Sequence, residues 1–131
     1  MKYEYLDYEV TDDKSKVNLD AVHKLLSTSY WAADRSKEIV MKTIENSICF
    51  SALHSDKQVG FARVVTDYAV FSWIADVIIH PDHRGKGLGK FLMECIESHP
   101  DIPLSLQILR TRDAHGLYEK FGFTHSNVLC K

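Results

Sequence analysis

A glycine-rich loop stands between a strand pattern and a helix pattern near the middle of the chain. Residues 73–79 are a short apolar run with β-branched side chains, the pattern of a buried strand. Residues 88–96 carry apolar side chains at the spacing of one helical face. The loop reads Arg84-Gly85-Lys86-Gly87-Leu88-Gly89. Its three glycines let the backbone approach a ligand closely, so we expect an α/β domain with a site where this strand meets this helix.

The loop is predicted to bind a phosphorylated ligand. The first N–H groups of a helix lack intrahelical partners and the helix dipole favours negative charge there, while Arg84 and Lys86 add two cations. A P-loop needs Ser or Thr directly after its Gly-Lys pair, where this chain has Gly87. A dinucleotide-binding fingerprint needs a glycine at position 90, which is lysine. The remaining pattern is Arg-x-x-Gly-x-Gly.

Length and composition predict one soluble domain over residues 1–131. A hydrophobic content of 45% and a charged content of 26% are ordinary for a globular protein. The formal net charge of −2 argues against a nucleic-acid or anionic-membrane binder. No apolar run approaches the ~18 residues of a transmembrane helix, and no signal peptide is evident. The three cysteines form no CxxC and the seven histidines no HExxH, so we expect a cytoplasmic protein without a metal.

Hydrophobic periodicity predicts the element order β-α-α-β-β-β-α-β-α-β. Strands are expected over residues 2–10, 48–53, 58–66, a run ending near 79, 104–109 and 123–129. Helices are expected over residues 19–29, 35–46, the segment after the glycine loop, and 112–120. The short connections between residues 48 and 79 predict an antiparallel meander. The helical crossover that follows makes the next strand parallel to its neighbour.

A second informative stretch is Ala114-His115-Gly116-Leu117-Tyr118-Glu119-Lys120-Phe121-Gly122-Phe123. Four of its apolar and aromatic residues share one helical face, and Gly122 is a candidate helix C-cap. Together with the glycine loop, this stretch resembles the GNAT superfamily of N-acetyltransferases. The loop matches the family signature Arg/Gln-x-x-Gly-x-Gly/Ala, and the second stretch matches Ala-x-x-Leu-Tyr-x-x-x-Gly-Phe.

The resemblance implies an α/β (α+β) fold with a mixed, mostly antiparallel sheet flanked by about four helices. Three features depart from the family pattern. Thr111 stands where members often carry Asn, and Trp73 stands where many carry a glutamate base. Only eight residues follow Phe123, which implies a shortened C-terminal strand region or completion of the sheet by a partner, such as a second copy in a homodimer.

The resemblance also implies acetyl-CoA as co-substrate. Its pyrophosphate is expected at the glycine loop, on Arg84, Gly85, Lys86, Gly87, Leu88 and Gly89. Its pantetheine arm is expected to pair with the backbone of Val77, Ile78 and Ile79, and Tyr118 is expected to lie beside its sulfur.

The implied chemistry is direct attack of an amine on the thioester through a tetrahedral intermediate. A thiol has a pKa of about 8.5 and a tyrosine about 10, so Tyr118 is the candidate that protonates the departing thiolate. Asp76 is the carboxylate best placed to deprotonate the amine, although an ordinary Asp is a weak base. Two alternative roles of Asp76 stay open: it could anchor the amine, or it could pair with a neighbour such as Arg63.

The acceptor is expected to be a small-molecule amine. The candidate acceptor residues are Tyr30, Trp31, Arg35, Phe71 and Asp76. Aromatic rings with an aspartate suit a cationic amine, whereas Arg35 suits a substrate carboxylate. A catalytically idle acetyl-CoA sensor is the alternative function.

Overall fold

Six strands form one sheet whose spatial order follows the chain. The computed structural model describes all residues, Met1–Lys131. The strands are β1 (Lys2–Tyr5), β2 (Tyr8–Thr11), β3 (Ile48–His54), β4 (Lys57–Thr66), β5 (Ser72–Ile79) and β6 (Gln107–Ile108). Neighbours are antiparallel from β1 to β5, and β6 is parallel to β5. The predicted meander and the parallel crossover are confirmed.

Four α-helices cover the sheet: α1 (Leu19–Ser27), α2 (Lys37–Glu45), α3 (Leu88–Ser98) and α4 (His115–Glu119). The first two begin at side-chain caps. Asn18 accepts a hydrogen bond from the backbone N–H of Ala21, and Ser36 accepts one from Ile39. The longest helix, α3, has 11 residues, and none of the helices is long and apolar enough to cross a membrane.

The core has two parts, one on each face of the sheet. On one face α3 packs its buried side chains, among them Leu92 and Ile96, against the strands. On the other face α1 and α2 bury Leu26 and Val40 against the sheet. The GNAT-like α+β architecture expected from the sequence is thus confirmed.

A bulge in β5 changes which face its side chains occupy. Between the paired residues Phe61–Ile78 and Arg63–Ala75, β4 has one residue, Ala62, whereas β5 has two. In a regular strand Ile74 and Ile78 would share a face, but here Ile74 packs with the α3 core and Ile78 with the α1–α2 core. The bulged residue is Asp76, whose φ of 54° lies in the left-handed region that Asp tolerates better than most residues.

Several predicted boundaries are wrong. The strand predicted over residues 2–10 is a hairpin, because Leu6 takes a φ of 52° and reverses the chain between β1 and β2. The helix predicted over 112–120 is confined to α4, since the amide of Ala114 bonds the Thr111 hydroxyl and the amide of Arg112 bonds the Tyr30 hydroxyl.

The C-terminal strands are also corrected. The strand predicted over 104–109 shrinks to the two residues of β6, and the strand predicted over 123–129 does not form. Apolar side chains alone do not make a strand, because the backbone needs a paired edge, and the outer edge of β6 has no partner strand.

Candidate active site

β5 and β6 diverge immediately after they meet. They pair only at Ser72 with Gln107 and at Trp73 with Ile108. Beyond that point, the edge of β5 that faces β6 has no strand partner from Ile74 to Ile79. An extended ligand can add to such an edge as a further strand. The predicted pantetheine residues Val77, Ile78 and Ile79 lie on this segment.

The glycine loop offers a row of unpaired amides. Gly85 and Gly87 take φ values of 77° and 83°, and Gly87 is the N-cap of α3 without a side-chain cap. The first backbone bond of the helix runs from the N–H of Phe91 to the carbonyl of Gly87 at 3.0 Å. The N–H groups of residues 85–90 make no hydrogen bond within the chain. A bound pyrophosphate fits this donor set.

Tyr5 of β1 holds this loop in place, a contact that the sequence analysis missed. Its hydroxyl donates to the carbonyl oxygen of Lys86 at 2.7 Å, and its ring stacks on Phe91 with the centroids 4.9 Å apart. From the other side, Arg84 Nε donates to the carbonyl of Ile79 at 2.9 Å. The loop is therefore fixed through a carbonyl and a side chain, and its N–H groups stay available.

Asp76 is the centre of a buried polar cluster. Its carboxylate, 1% exposed, accepts hydrogen bonds from Trp31 Nε1 at 2.8 Å, Arg35 Nη1 at 2.7 Å and Arg63 Nε at 2.6 Å. Burial acts to raise the pKa of this carboxyl, but the hydrogen bonds and charges of the two arginines outweigh it and hold the pKa below its ordinary value. A carboxylate so bound holds no proton at neutral pH and is a poor base.

Tyr118 lies on α4 with 8% of its surface exposed. Burial, followed by the negative charges of Tyr30 and Asp113 when ionised, raises the pKa of the phenol to about 12. Its hydroxyl makes no hydrogen bond within the chain, and the centroid of its ring lies 6.2 Å from that of Phe123 in an edge-on arrangement. The hydroxyl is thus protonated at neutral pH and free to donate.

A cleft of about 560 Å³ connects Asp76 and Tyr118. Its charged lining consists of Arg35, Arg63, Arg110, Arg112, Asp76 and Asp113. Its aromatic lining consists of Tyr30, Trp31, Trp73 and Tyr118. Four of the five predicted acceptor residues therefore line one cleft. Phe71 does not: it lies before β5 in the turn, where its carbonyl accepts hydrogen bonds from Thr66 and Asp67.

Tyr30 connects the two walls of the cleft. Its hydroxyl accepts from the backbone N–H of Arg112 at 3.0 Å, and the guanidinium of Arg112 lies 3.8 Å from the centre of its ring. Tyr30 belongs to the loop between α1 and α2, whereas Arg112 precedes α4. Sequence reasoning missed Arg110, Arg112 and Asp113, since no local pattern shows that this segment faces the α1–α2 loop.

A larger cavity of about 810 Å³ lies between β6, α4 and the residues that follow α4. It shares Trp73 and Tyr118 with the cleft but contains no residue of the bulge or the glycine loop. The smaller cleft, unlike this cavity, combines the bulge with Tyr118. No group of three His, Cys, Asp or Glu side chains is arranged to hold a metal ion.

Comparison with known proteins agrees with this geometry. The family model described as the acetyltransferase (GNAT) domain matches residues 45–125, more than half of the chain. The N-acetyltransferase ycf52 of Pyropia yezoensis, itself uncharacterized, is 30% identical over 93% of this chain and 73% of its own length. The peptidyl-lysine N-acetyltransferase YjaB of Salmonella typhimurium is 30% identical over 81% of this chain and 69% of its own length. Some relatives are considerably longer, and the chain spans only 62% of an acetyltransferase of Gibberella zeae.

Solved structures show the same fold. A Xanthomonas campestris protein described as belonging to the GNAT family is 38% identical, with a TM-score of 0.89 over 95% of this chain and 89% of that one. A Staphylococcus aureus protein that is 22% identical has a TM-score of 0.76 over 92% of both chains, which supports the fold alone.

Proposed function

Because this chain belongs to the GNAT family of acetyltransferases, we propose that it transfers the acetyl group of acetyl-CoA to the amine of a small molecule. One observation carries the proposal. The unpaired edge of β5 ends at a loop with free amides over residues 85–90, and the arginine-lined cleft adjoins that edge at the bulge. Acetyl-CoA supplies the activated thioester that the amine attacks directly, without an acyl-enzyme.

The glycine loop and β5 are proposed to hold the co-substrate. The N–H groups of residues 85–89 are donors for the pyrophosphate, with the cations of Arg84 and Lys86 beside them. The backbone of Val77, Ile78 and Ile79 is proposed to pair with the pantetheine arm. An N–H on this edge can also donate to the thioester oxygen as negative charge develops there.

Tyr118 is proposed to donate to the departing sulfur. Because the pKa of its phenol is about 12 and that of a thiol is about 8.5, complete proton transfer to a thiolate is uphill. We therefore expect a hydrogen bond from Tyr118 that stabilises the developing thiolate, with the proton of the attacking amine available to complete the transfer.

Asp76 is proposed to be a positioning residue. Its oxygens accept hydrogen bonds from Trp31, Arg35 and Arg63. We therefore expect Asp76 to hold these side chains in place at the cleft and not to remove a proton from the acceptor amine. The other carboxylate of the cleft, Asp113, is exposed and has no ion-pair partner. We propose that Asp113 attracts the ammonium group of the acceptor.

A second candidate acceptor is a lysine side chain in a protein. The observation that favours it is the 30% identity to YjaB, whose name states that activity. The cationic lining of the cleft disfavours it, because a lysine side chain arrives positively charged and, unlike a small molecule with an anionic group, has no charge of its own to offset the lining.

Release of free thiol from acetyl-CoA, measured with a panel of small amines and with lysine-containing peptides, tests the proposal. We expect thiol release with small amines and an N-acetyl product by mass spectrometry. Acetyl-CoA binding without turnover on every acceptor would instead indicate a sensor. A homodimer and a cytoplasmic location stay predictions, which sedimentation and cell fractionation can test.

A further inference from the structure

Positive charge dominates the acceptor cleft. Arg35 and Arg63 share the single carboxylate of Asp76, so one of their two charges is not compensated. Across the cleft, Arg110 and Arg112 form no salt bridge, and both are exposed. Asp113 is the remaining acid of the lining. The cleft is therefore cationic at neutral pH.

Arg35 is the arginine best prepared to bind a further anion. Its Nη1 donates to Asp76 at 2.7 Å, which fixes the guanidinium, while its Nε and Nη2 make no hydrogen bond within the chain. Its side chain is 27% exposed. Arg63, by contrast, is 12% exposed and uses Nε on Asp76 and Nη1 on Ser47. A guanidinium that is already fixed loses little side-chain entropy when it binds a carboxylate.

Two aromatic side chains of the cleft, Tyr30 and Trp31, are already engaged by the protein's own side chains. The cation of Arg112 lies 3.8 Å from the centre of the Tyr30 ring, where an ammonium of a substrate would otherwise stack. The indole N–H of Trp31 is bound to Asp76. These contacts weaken the expectation, drawn from the sequence, that Tyr30, Trp31 and Asp76 receive a purely cationic amine.

The geometry points to an acceptor that carries a carboxylate beside its amine, as an α-amino acid does, with Arg35 as the residue that selects the carboxylate; this inference rests on the proposed acetyl transfer. The carboxylate offsets the charge of the cleft and can take two parallel hydrogen bonds from one guanidinium. The same cationic surroundings lower the pKa of an ammonium held nearby. More of the acceptor is then in the neutral form that attacks the thioester.

Matched sets of acceptors test this inference. One set is L-phenylalanine, L-phenylalaninamide and phenethylamine, and a second is L-methionine, L-methioninamide and 3-(methylthio)propylamine. The amide and the decarboxylated amine keep the side chain and the amine but lack the negative charge. We expect kcat/KM to be at least about tenfold higher for the acid, because a charged hydrogen-bonded contact is lost in the others.

Substitutions assign the preference to the cleft. Arg35→Gln should remove most of the preference, because kcat/KM should fall at least about tenfold more for the acid than for the amide. Arg110→Gln is a second variant, and it breaks no hydrogen bond of the protein. We expect it to lower kcat/KM for the acid more than for the amide, but by a smaller factor than Arg35→Gln does. Lys42→Gln, which removes an exposed charge of α2 outside the cleft, is the control and should keep the preference. Thermal melts identify any variant that is unfolded.

Binding of the products separates the inference from the proposed function. Calorimetry in the presence of CoA compares N-acetyl-L-phenylalanine with N-acetylphenethylamine, and tighter binding of the acid is expected. Selective binding without turnover would keep the carboxylate site and contradict the transferase. Turnover that favours the amides, the decarboxylated amines or lysine-containing peptides would overturn the carboxylate inference and keep the transferase. Neither turnover nor selective binding would overturn both.

Discussion

Replacing Asp76 by asparagine tests the role of the buried polar cluster. The substitution keeps the size of the side chain but leaves Arg35 and Arg63 without the negative charge that both contact. The carboxylate is 1% exposed, and breaking a buried ion pair by removing one partner costs about 3–5 kcal/mol. Because Arg35 is partly exposed, we expect a value near the lower limit, about 3 kcal/mol. For a chain of this length, that corresponds to a decrease in Tm of roughly 10 °C.

The pH dependence of stability provides an independent check. The folded pKa of Asp76 lies below its unfolded value of about 3.9, so the unfolded state takes up the proton more readily. The stabilisation by Asp76 is therefore complete above the unfolded pKa and is lost as pH falls through the folded pKa. We expect the difference in Tm between the wild type and Asp76→Asn to be constant near neutral pH and to shrink below about pH 4. Asp113→Asn, which removes an exposed carboxylate without an ion pair, is the control and should leave Tm unchanged at neutral pH.

Activity distinguishes a positioning residue from a base. Loss of Asp76 should raise the acceptor KM and lower kcat/KM at every pH, because Arg35 and Trp31 lose their common partner. A base variant would instead recover at high pH, where the free amine is abundant. An Asp76→Asn protein that is as stable as the wild type and regains full activity at high pH would refute the positioning role.

Three further substitutions test the co-substrate site. Gly87→Ala should weaken acetyl-CoA binding at least about tenfold in calorimetry, because φ at this position is 83° and an added Cβ would lie 2.6 Å from the Tyr5 hydroxyl. Gly116→Ala, with open space around the added Cβ, is the control, and equal affinity of the two variants would contradict the loop assignment. Tyr5→Phe should weaken acetyl-CoA binding severalfold, since it removes a hydrogen bond to Lys86 that contributes about 1 kcal/mol and keeps the stacked ring. Tyr3→Phe is the control and should bind acetyl-CoA as the wild type does. Similar affinities of the two variants would show that Tyr5 does not support the loop. Tyr118→Phe should lower turnover about 10²-fold and keep its acetyl-CoA affinity within severalfold of the wild-type value. The pH profile of wild-type activity should show no ionisation of this phenol up to about pH 11. Unchanged turnover of the variant, when chemistry limits the rate, would exclude the donor role.

Local sequence patterns predicted the parts of the site that depend on short-range structure. The apolar run before the glycine loop and the helical stripe after it fixed β5 and α3, because each pattern is complete within its own segment. The hydrophobic pattern of this strand gives no sign of the bulge at Asp76, since Ile74 and Ile78 have the spacing of a regular strand and only the structure shows them on opposite faces.

Long-range contacts explain what the sequence missed. Tyr5 meets Lys86 across 81 positions and Tyr30 meets Arg112 across 82, so neither pair leaves a local signal. The strand predicted over residues 123–129 was wrong for a related reason. Its apolar residues, Phe123, Val128 and Leu129, carry no information about whether a partner edge exists beside them.

The most direct test of the central claim is a single assay of the wild-type protein with acetyl-CoA and the L-phenylalanine set. Free thiol and N-acetyl product are measured together, and we expect both to appear in equal amounts, fastest with the free acid. Tight binding of acetyl-CoA with no acetylated product from any amine or peptide would contradict the central claim.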